Sequence, residues 1–479
     1  MQRDQGSDNE ARRRMTTLEK LRPVGPLERY STARHHVGFY NNVALTARHL
    51  LPYDNESSLK DRVYGACANV INDHPMLSAV PADEGSRKPY FTRLPKINLD
   101  RTVSFYTRKI PSTTDKEDAE LDGLLEAQHN KSFKSDPGTE VTTAWRLVVI
   151  LDPEDRSAFD VAFIFHHALG DGMSGLAFHR AFSDALVAFN GTSLAEVIPP
   201  NREIPSALES LLYITISPLY LLKELFWSSI GWQERGVWLA NPTGETPKSR
   251  YRSVRFSKDT TARLLSICRK NDTTVSALLQ VQISRTLFSI LPPEYGKLLC
   301  NGAATARRWV DVNAVDDDTI GCYVAAYSDT YVRDALQTDD FPWHIARKSR
   351  ENIQKLIETK GRDNSVGLLR FIPDINRMLL SKIGKPRTSS FSISNVGVFH
   401  PKKPSGSGTE TGDARSRVGR MVFSQSGNHF GTPFEACLVT GGDGCLTMGF
   451  AWAEAAISEE FLPQLMHGVK DSLEGLVLP

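Results

Sequence analysis

Apolar and polar positions along this chain switch between two periods, and the switches mark its elements. Residues 59–70 carry apolar side chains at helical spacing. His74-Pro75-Met76-Leu77 stops that helix, because the residue before a proline is pushed out of helical geometry. Residues 111–130 are acidic and helix-prone. Residues 142–151 read as a strand, Asp152-Pro153-Glu154-Asp155 as its turn and residues 159–165 as the returning strand of a hairpin. Residues 174–189 then place Leu176, Phe182, Leu186 and Phe189 at helical intervals, with Asn190-Gly191 as the C-cap.

The second half repeats the alternation. Residues 251–256 read as a strand, 259–269 as a helix and 273–287 as a second helix capped by Thr273 or Thr274. Residues 400–420, rich in Lys, Pro, Ser, Gly and Thr, read as an exposed loop, and residues 1–20 as a disordered tail. Mixed elements in both halves give the α/β class. Hairpin-like strand pairs favour an α+β sandwich over a doubly wound sheet.

A chain of 479 residues exceeds what one core usually supports, so two domains are expected. The divisions are 21–205, an interdomain crossover at 206–248, and 249–479. Lys plus Arg number 57 against 56 Asp plus Glu, which leaves no broad field for gripping nucleic acid. The six cysteines form no CxxC pair and read as buried thiols in a reducing compartment. Residues 1–15 have no apolar h-region and the C-terminus matches no retention signal, so the expected location is the cytosol.

Residues 208–232 are the exception in this pattern, with fifteen of twenty-five residues apolar or aromatic. Pro218 and the Lys223-Glu224 pair inside the stretch disfavour spanning a bilayer. The expected role is packing against the protein or lining a substrate channel. The second reading is peripheral contact with a membrane, such as the endoplasmic reticulum or a lipid droplet.

Chemistry concentrates at His166-His167-Ala168-Leu169-Gly170-Asp171-Gly172, directly after the apolar run of residues 161–165. With twelve histidines, about one bare His-x-x-x-Asp is expected by chance. The doubled histidine, the glycine after the aspartate and the preceding strand make the element much more specific. A tight turn folds Asp171 back to hold local structure, and His167 is left free to deprotonate a hydroxyl. Gly172 fits a crowded or unusual backbone position, and His166 suits packing or a backbone hydrogen bond. His35 and His36 have no carboxylate at useful local spacing and read as structural. Arg307-Arg308 could meet donor phosphates, since guanidinium suits phosphate oxygens. No phosphate-binding glycine loop is present, and the adjacent pairs His35-His36 and His166-His167 are poorly placed to share a metal ion, so none is expected.

These features resemble the HHxxxDG acyltransferases that use coenzyme A, and within them the fungal alcohol acetyltransferases. The likeness extends to residues 21–36, to His74-Pro75-Met76-Leu77, to Trp145-Arg146-Leu147 and to Phe391-Ser392-Ile393-Ser394-Asn395-Val396-Gly397. Gly321-Cys322-Tyr323-Val324 resembles a Gly-Asn-Tyr-Val landmark, with Cys322 in place of the usual Asn. The plant-type DFGWG element is absent.

The resemblance implies two pseudo-symmetric chloramphenicol-acetyltransferase-like domains with a tunnel between them. Acetyl-CoA would act as co-substrate, with no permanently bound cofactor, and an alcohol would be the acceptor. The chain would act as a monomer in ester formation or secondary metabolism. Ser394 would donate to the oxyanion with Asn395 in support, and Asp171 would pair with an arginine, for which Arg34, Arg307 and Arg308 are candidates. An amine acceptor, a carrier-tethered donor as in condensation domains, and a non-catalytic acyl-CoA-binding scaffold are the rivals.

Overall fold

Two twisted sheets carry the molecule, and one strand crosses between the halves of the sequence to join them. This arrangement comes from a computed structural model describing residues 18–112, 117–135, 140–189, 191–230, 234–244, 248–401 and 417–478. The five-stranded sheet runs in the order Arg417–Gln425, Val43–Leu50, Phe159–Phe165, Trp145–Leu151, Val103–Thr107. The six-stranded sheet runs Ser249–Arg255, Leu446–Ala453, Phe434–Thr440, Phe391–Val398, Lys297–Thr305, Val324–Val332.

The expected hairpin is present, with Trp145 opposite Phe165 and Leu151 opposite Phe159. Residues 142–144 precede its first strand. Every position of Phe159–Phe165 is buried. Helix Gly172–Ala188 packs on the neighbouring strand Val43–Leu50 and against helix Glu56–Asp73, and the rings of Phe163 and Phe178 stack 3.9 Å apart. In the second half, Val275–Ile290 packs against Trp343–Glu358 and Phe461–Leu476. Its N-cap is Thr274, whose hydroxyl accepts from the Ala277 N–H.

Four expectations need correction. The tail expected over 1–20 lies outside the described residues up to 17, but Glu19–Pro23 forms a strand paired with Tyr90–Arg93. Helix Gly172–Ala188 is capped by Phe189 in extended backbone rather than by Asn190-Gly191. The Phe189 ring lies where a Gly65 side chain would be, which draws the chain towards the neighbouring helix; Asn190 itself is outside the described residues. The loop expected over 400–420 is described only at its ends, and residues 417–420 begin a strand against Val43–Leu50. Arg420 is buried there between Asp118 at 3.2 Å and Asp160 at 3.7 Å, so its charge is compensated inside the first-half sheet. A division at residue 249 therefore does not separate the strands of the two sheets.

The fourth correction concerns the apolar stretch 208–232. Leu208 and Ile214 are buried, but Pro218 opens a helix, Pro218–Ile230, on which Leu219 and Leu222 are 79% and 64% exposed. Among the described residues these two leucines are open to solvent, and neither lines the two cavities beside the motif. Among the described residues no helix is long and apolar enough to cross a membrane.

Candidate active site

Strand Phe159–Phe165 ends at His166, and a turn closed by the Leu169 N–H donating to the His166 carbonyl at 2.9 Å leads to Asp171. Asp171 is the N-cap of Gly172–Ala188. Its Oδ1 accepts from the Ser174 N–H at 3.0 Å and the Ser174 hydroxyl at 3.1 Å. Its Oδ2 accepts from Arg307 Nη1 at 2.6 Å and from the Tyr323 N–H at 2.9 Å. Burial would raise this carboxyl, but the Arg307 guanidinium outweighs burial and holds it below the ordinary value. Asp171 is thus an ionised anchor with both oxygens engaged. Its arginine is Arg307 rather than Arg34 or Arg308.

This pairing corrects the reading of Arg307 as a phosphate ligand. Arg307 is buried, and besides Asp171 it donates to the carbonyls of Thr319 and Gly321. Arg308 is exposed and lines a cavity on the second-half side of the motif.

His167 follows at the strand end with its ring 5.6 Å from that of Tyr40. Burial, and then the nearby Arg34 charge, hold its imidazole down to about 4, so it is neutral near pH 7. The residue's own backbone pulls the other way and raises the imidazole, without outweighing burial. Cys322 Sγ lies 3.8 Å from Nδ1, so this cysteine of Gly321-Cys322-Tyr323-Val324 sits directly beside His167.

His166 is held by a residue that local sequence spacing does not reveal. Glu84 Oε2 lies 2.7 Å from His35 Nδ1, and Oε1 lies 2.8 Å from His166 Nε2 at a poorer angle than an ideal hydrogen bond. His35 therefore does have a carboxylate, supplied by the turn after Asp83 rather than by its own helix. These three side chains place ligand atoms within 4.8 Å of one another, a cluster that the adjacent-pair argument did not anticipate.

Proton accounting disfavours a metal here. His35 Nε2 accepts from the Phe133 N–H at 3.0 Å, and His166 Nδ1 accepts from the Ala168 N–H at 2.9 Å. Each neutral ring has spent its lone pair on backbone, so the nitrogens facing Glu84 carry hydrogens. Burial would raise the Glu84 carboxyl, but the two imidazoles together hold it well below the carboxylate range.

Two cavities meet at the motif. One, of ≈ 260 Å³, is lined by His167, Ser394, Arg34 and Glu435 among others. The other, of ≈ 390 Å³, is lined by Arg308, Ser276, Asn395 and Tyr327 among others. Asp171, Gly172, Ile393 and Ser394 belong to both. Ser394 sits on Phe391–Val398, paired with Ala303 and Cys437. Asn395 donates through Nδ2 to Ser276 Oγ at 3.0 Å and accepts from the Gly397 N–H at 2.8 Å. A Cβ on Gly172 would lie 2.2 Å from Val396 Cγ1, so the expected crowding is real.

Two α/β halves bridged by a strand, with His167 on the wall of one of two adjoining cavities, make up a chloramphenicol-acetyltransferase-like fold. The alcohol acetyltransferase family profile matches residues 23–467, and the chain belongs to that family. It is 32% identical to the "Probable alcohol acetyltransferase crmB" of Aspergillus fumigatus over 469 residues, which cover 93% of this chain and 97% of that protein. Among solved structures it is similar to the TRI3 trichothecene 15-O-acetyltransferase of Fusarium sporotrichioides. The TM-score is 0.71 at 12% identity, with 95% of each chain covered. The first condensation domain of the calcium-dependent antibiotic synthetase matches at TM-score 0.62 and 13% identity, with 97% of each chain covered. Family membership makes acyl-CoA the co-substrate class and an alcohol the acceptor class.

Proposed function

We propose that this enzyme transfers an acetyl group from acetyl-CoA directly to an alcohol, with His167 as general base. The observation that carries this reading is that His167 lines one of two adjoining cavities whose shared wall includes Ser394, Asp171 and Gly172. A thioester entering past Arg308 and an acceptor entering from the His167 side would meet there, so no acyl-enzyme is required. Nε2 of His167 takes the hydroxyl proton as the oxygen bonds to the thioester carbonyl. The resulting oxyanion accepts a hydrogen bond from Ser394, a kind of contact typically worth about 3 kcal/mol. As the intermediate collapses the C–S bond breaks and the imidazolium returns its proton to the thiolate. An imidazole held down to about 4 gives up that proton readily.

Asp171 touches neither substrate in this scheme; through Ser174 and Arg307 it fixes the turn that aims His167. The test is thiol release from acetyl-CoA by wild type and His167→Ala with primary alcohols, terpene alcohols and amines. Turnover with an alcohol that falls at least about a hundredfold in the variant supports the scheme. Turnover with amines alone, or a variant as active as wild type, overturns it.

A further inference from the structure

The cavity holding His167 has a polar end that acyl transfer itself does not use, and two neighbouring strands build it. Ser392 and Ser394 of Phe391–Val398 are two residues apart, so they share a face, and both line the cavity. Ser392 is in register with Glu435 of Phe434–Thr440, as Ser394 is with Cys437. A two-residue step along a strand is about 7 Å, so the backbone of Glu435 is one such step from the level of Ser394.

The Glu435 carboxylate is held by Asn428 and the neighbouring Ser392 hydroxyl, yet one of its oxygens stays open. Asn428 Nδ2 donates to Oε1 at 3.5 Å, whereas Oε2 has no hydrogen-bond partner among the described residues. Burial raises this carboxyl against the opposing pull of Arg34 and of the hydrogen bonds from Ser392 and Asn428. Arg34 lines the same cavity at 7% exposure, its guanidinium 4.5 Å from the centre of the Tyr30 ring and 4.3 Å from that of Tyr40. Its Nε has no hydrogen-bond partner among the described residues either. A cation with spare donor capacity and a carboxylate with a spare acceptor thus line one small cavity without bonding to each other.

Buried polar groups of this kind need partners, and a ligand is the natural source. A hydroxyl can accept from Arg34 and donate to Glu435 at once. An alkyl chain does neither, an ammonium can only donate, and a carboxylate can only accept. We infer that the acceptor carries a second hydroxyl, apart from the one acylated, held between Arg34 and Glu435; the substrate is a diol or polyol rather than a plain aliphatic alcohol. This rests on the alcohol-acyltransfer reading of the same site and narrows its acceptor class.

The test uses wild-type enzyme, acetyl-CoA and diols of increasing length, each matched to the monoalcohol of the same chain and to the corresponding amino alcohol. The expected result is a kcat/KM advantage of at least about tenfold for one diol spacing over its monoalcohol, since sites built to bond a hydroxyl reject analogues lacking it. In Glu435→Gln and Glu435→Leu the diol-to-monoalcohol ratio, read within each variant, should shrink, with Leu lowering it more. Turnover of monoalcohols without a diol preference, an amino alcohol preferred over every diol, or a ratio unchanged in Glu435→Leu overturns the inference while acetyl transfer stands. No turnover of any alcohol overturns the parent reading and this one together.

Discussion

Asp171 and Arg307, 136 positions apart, form an ion pair of 2.6 Å in which neither side chain is more than 2% exposed. One partner caps the helix that follows His167; the other lies in a short turn after strand Lys297–Thr305. The orientation of His167 is thereby tied to the second half of the chain. Removing one partner leaves a buried charge uncompensated, which typically costs about 3–5 kcal/mol. Asp171→Ala should therefore lower the denaturation midpoint strongly and abolish most activity. Arg307→Lys, which keeps the charge but loses the forked donors to Thr319 and Gly321, should fall between. Urea unfolding of both variants checks this, and an Asp171→Ala protein as stable as wild type would refute the anchoring role.

The contact between Gly172 and Val396 makes a second, reversible test. A Cβ at residue 172 would sit 2.2 Å from Val396 Cγ1. Gly172→Ala should reduce turnover and stability by forcing the helix start away from Phe391–Val398. Pairing it with Val396→Ala removes the clashing methyl, so the double variant should recover part of both. Non-additivity in the double-mutant cycle is the measurement.

Glu84 faces ring nitrogens of both His35 and His166, and Gln in its place can offer only one acceptor oxygen. The other N–H would then face an amide donor. Glu84→Gln should lower stability by about 1–3 kcal/mol and reduce kcat through His166, the neighbour of the base. Glu84→Asp, which retains two acceptors, should lose less. Equal losses in both variants would point to packing rather than hydrogen bonding.

Local pattern was enough for elements whose signal is continuous. The buried run Phe159–Phe165, the motif after it and the helix read over residues 174–189, observed as Gly172–Ala188, follow from periodicity alone, whereas its caps do not. What the sequence hides is tertiary. Arg34, Arg307 and Arg308 are indistinguishable as partners for Asp171 until the fold buries one against it, turns the second into the catalytic cavity and leaves the third exposed. Glu84 sits in a polar turn of the kind that usually faces solvent, and only sheet packing brings it between His35 and His166. Strand Arg417–Gln425 follows a loop-like composition, and its partner Val43–Leu50 lies in the other half of the chain.

Buried neutral histidines set the response of the protein to acid. His129 is held down to about 3 and His179 to about 4, each chiefly by burial, from an ordinary value of 6.5. His129 Nδ1 lies 2.6 Å from Asn42 Oδ1, and His179 Nε2 lies 2.8 Å from the Leu45 carbonyl, so both rings are fixed as neutral donors. Between pH 6.5 and about 4 the unfolded chain binds protons at these positions and the native protein does not. Their contribution to stability is therefore complete above about 6.5 and is lost as the pH falls through that window, at up to about 1.4 kcal/mol per pH unit for each histidine. Urea midpoints measured from pH 7.5 to 4.5 should fall progressively with acid. His129→Gln can still donate to Asn42 but cannot take up a proton, so its midpoint should fall less steeply than that of wild type. Parallel curves for the two proteins would mean that His129 already carries its proton in the native state.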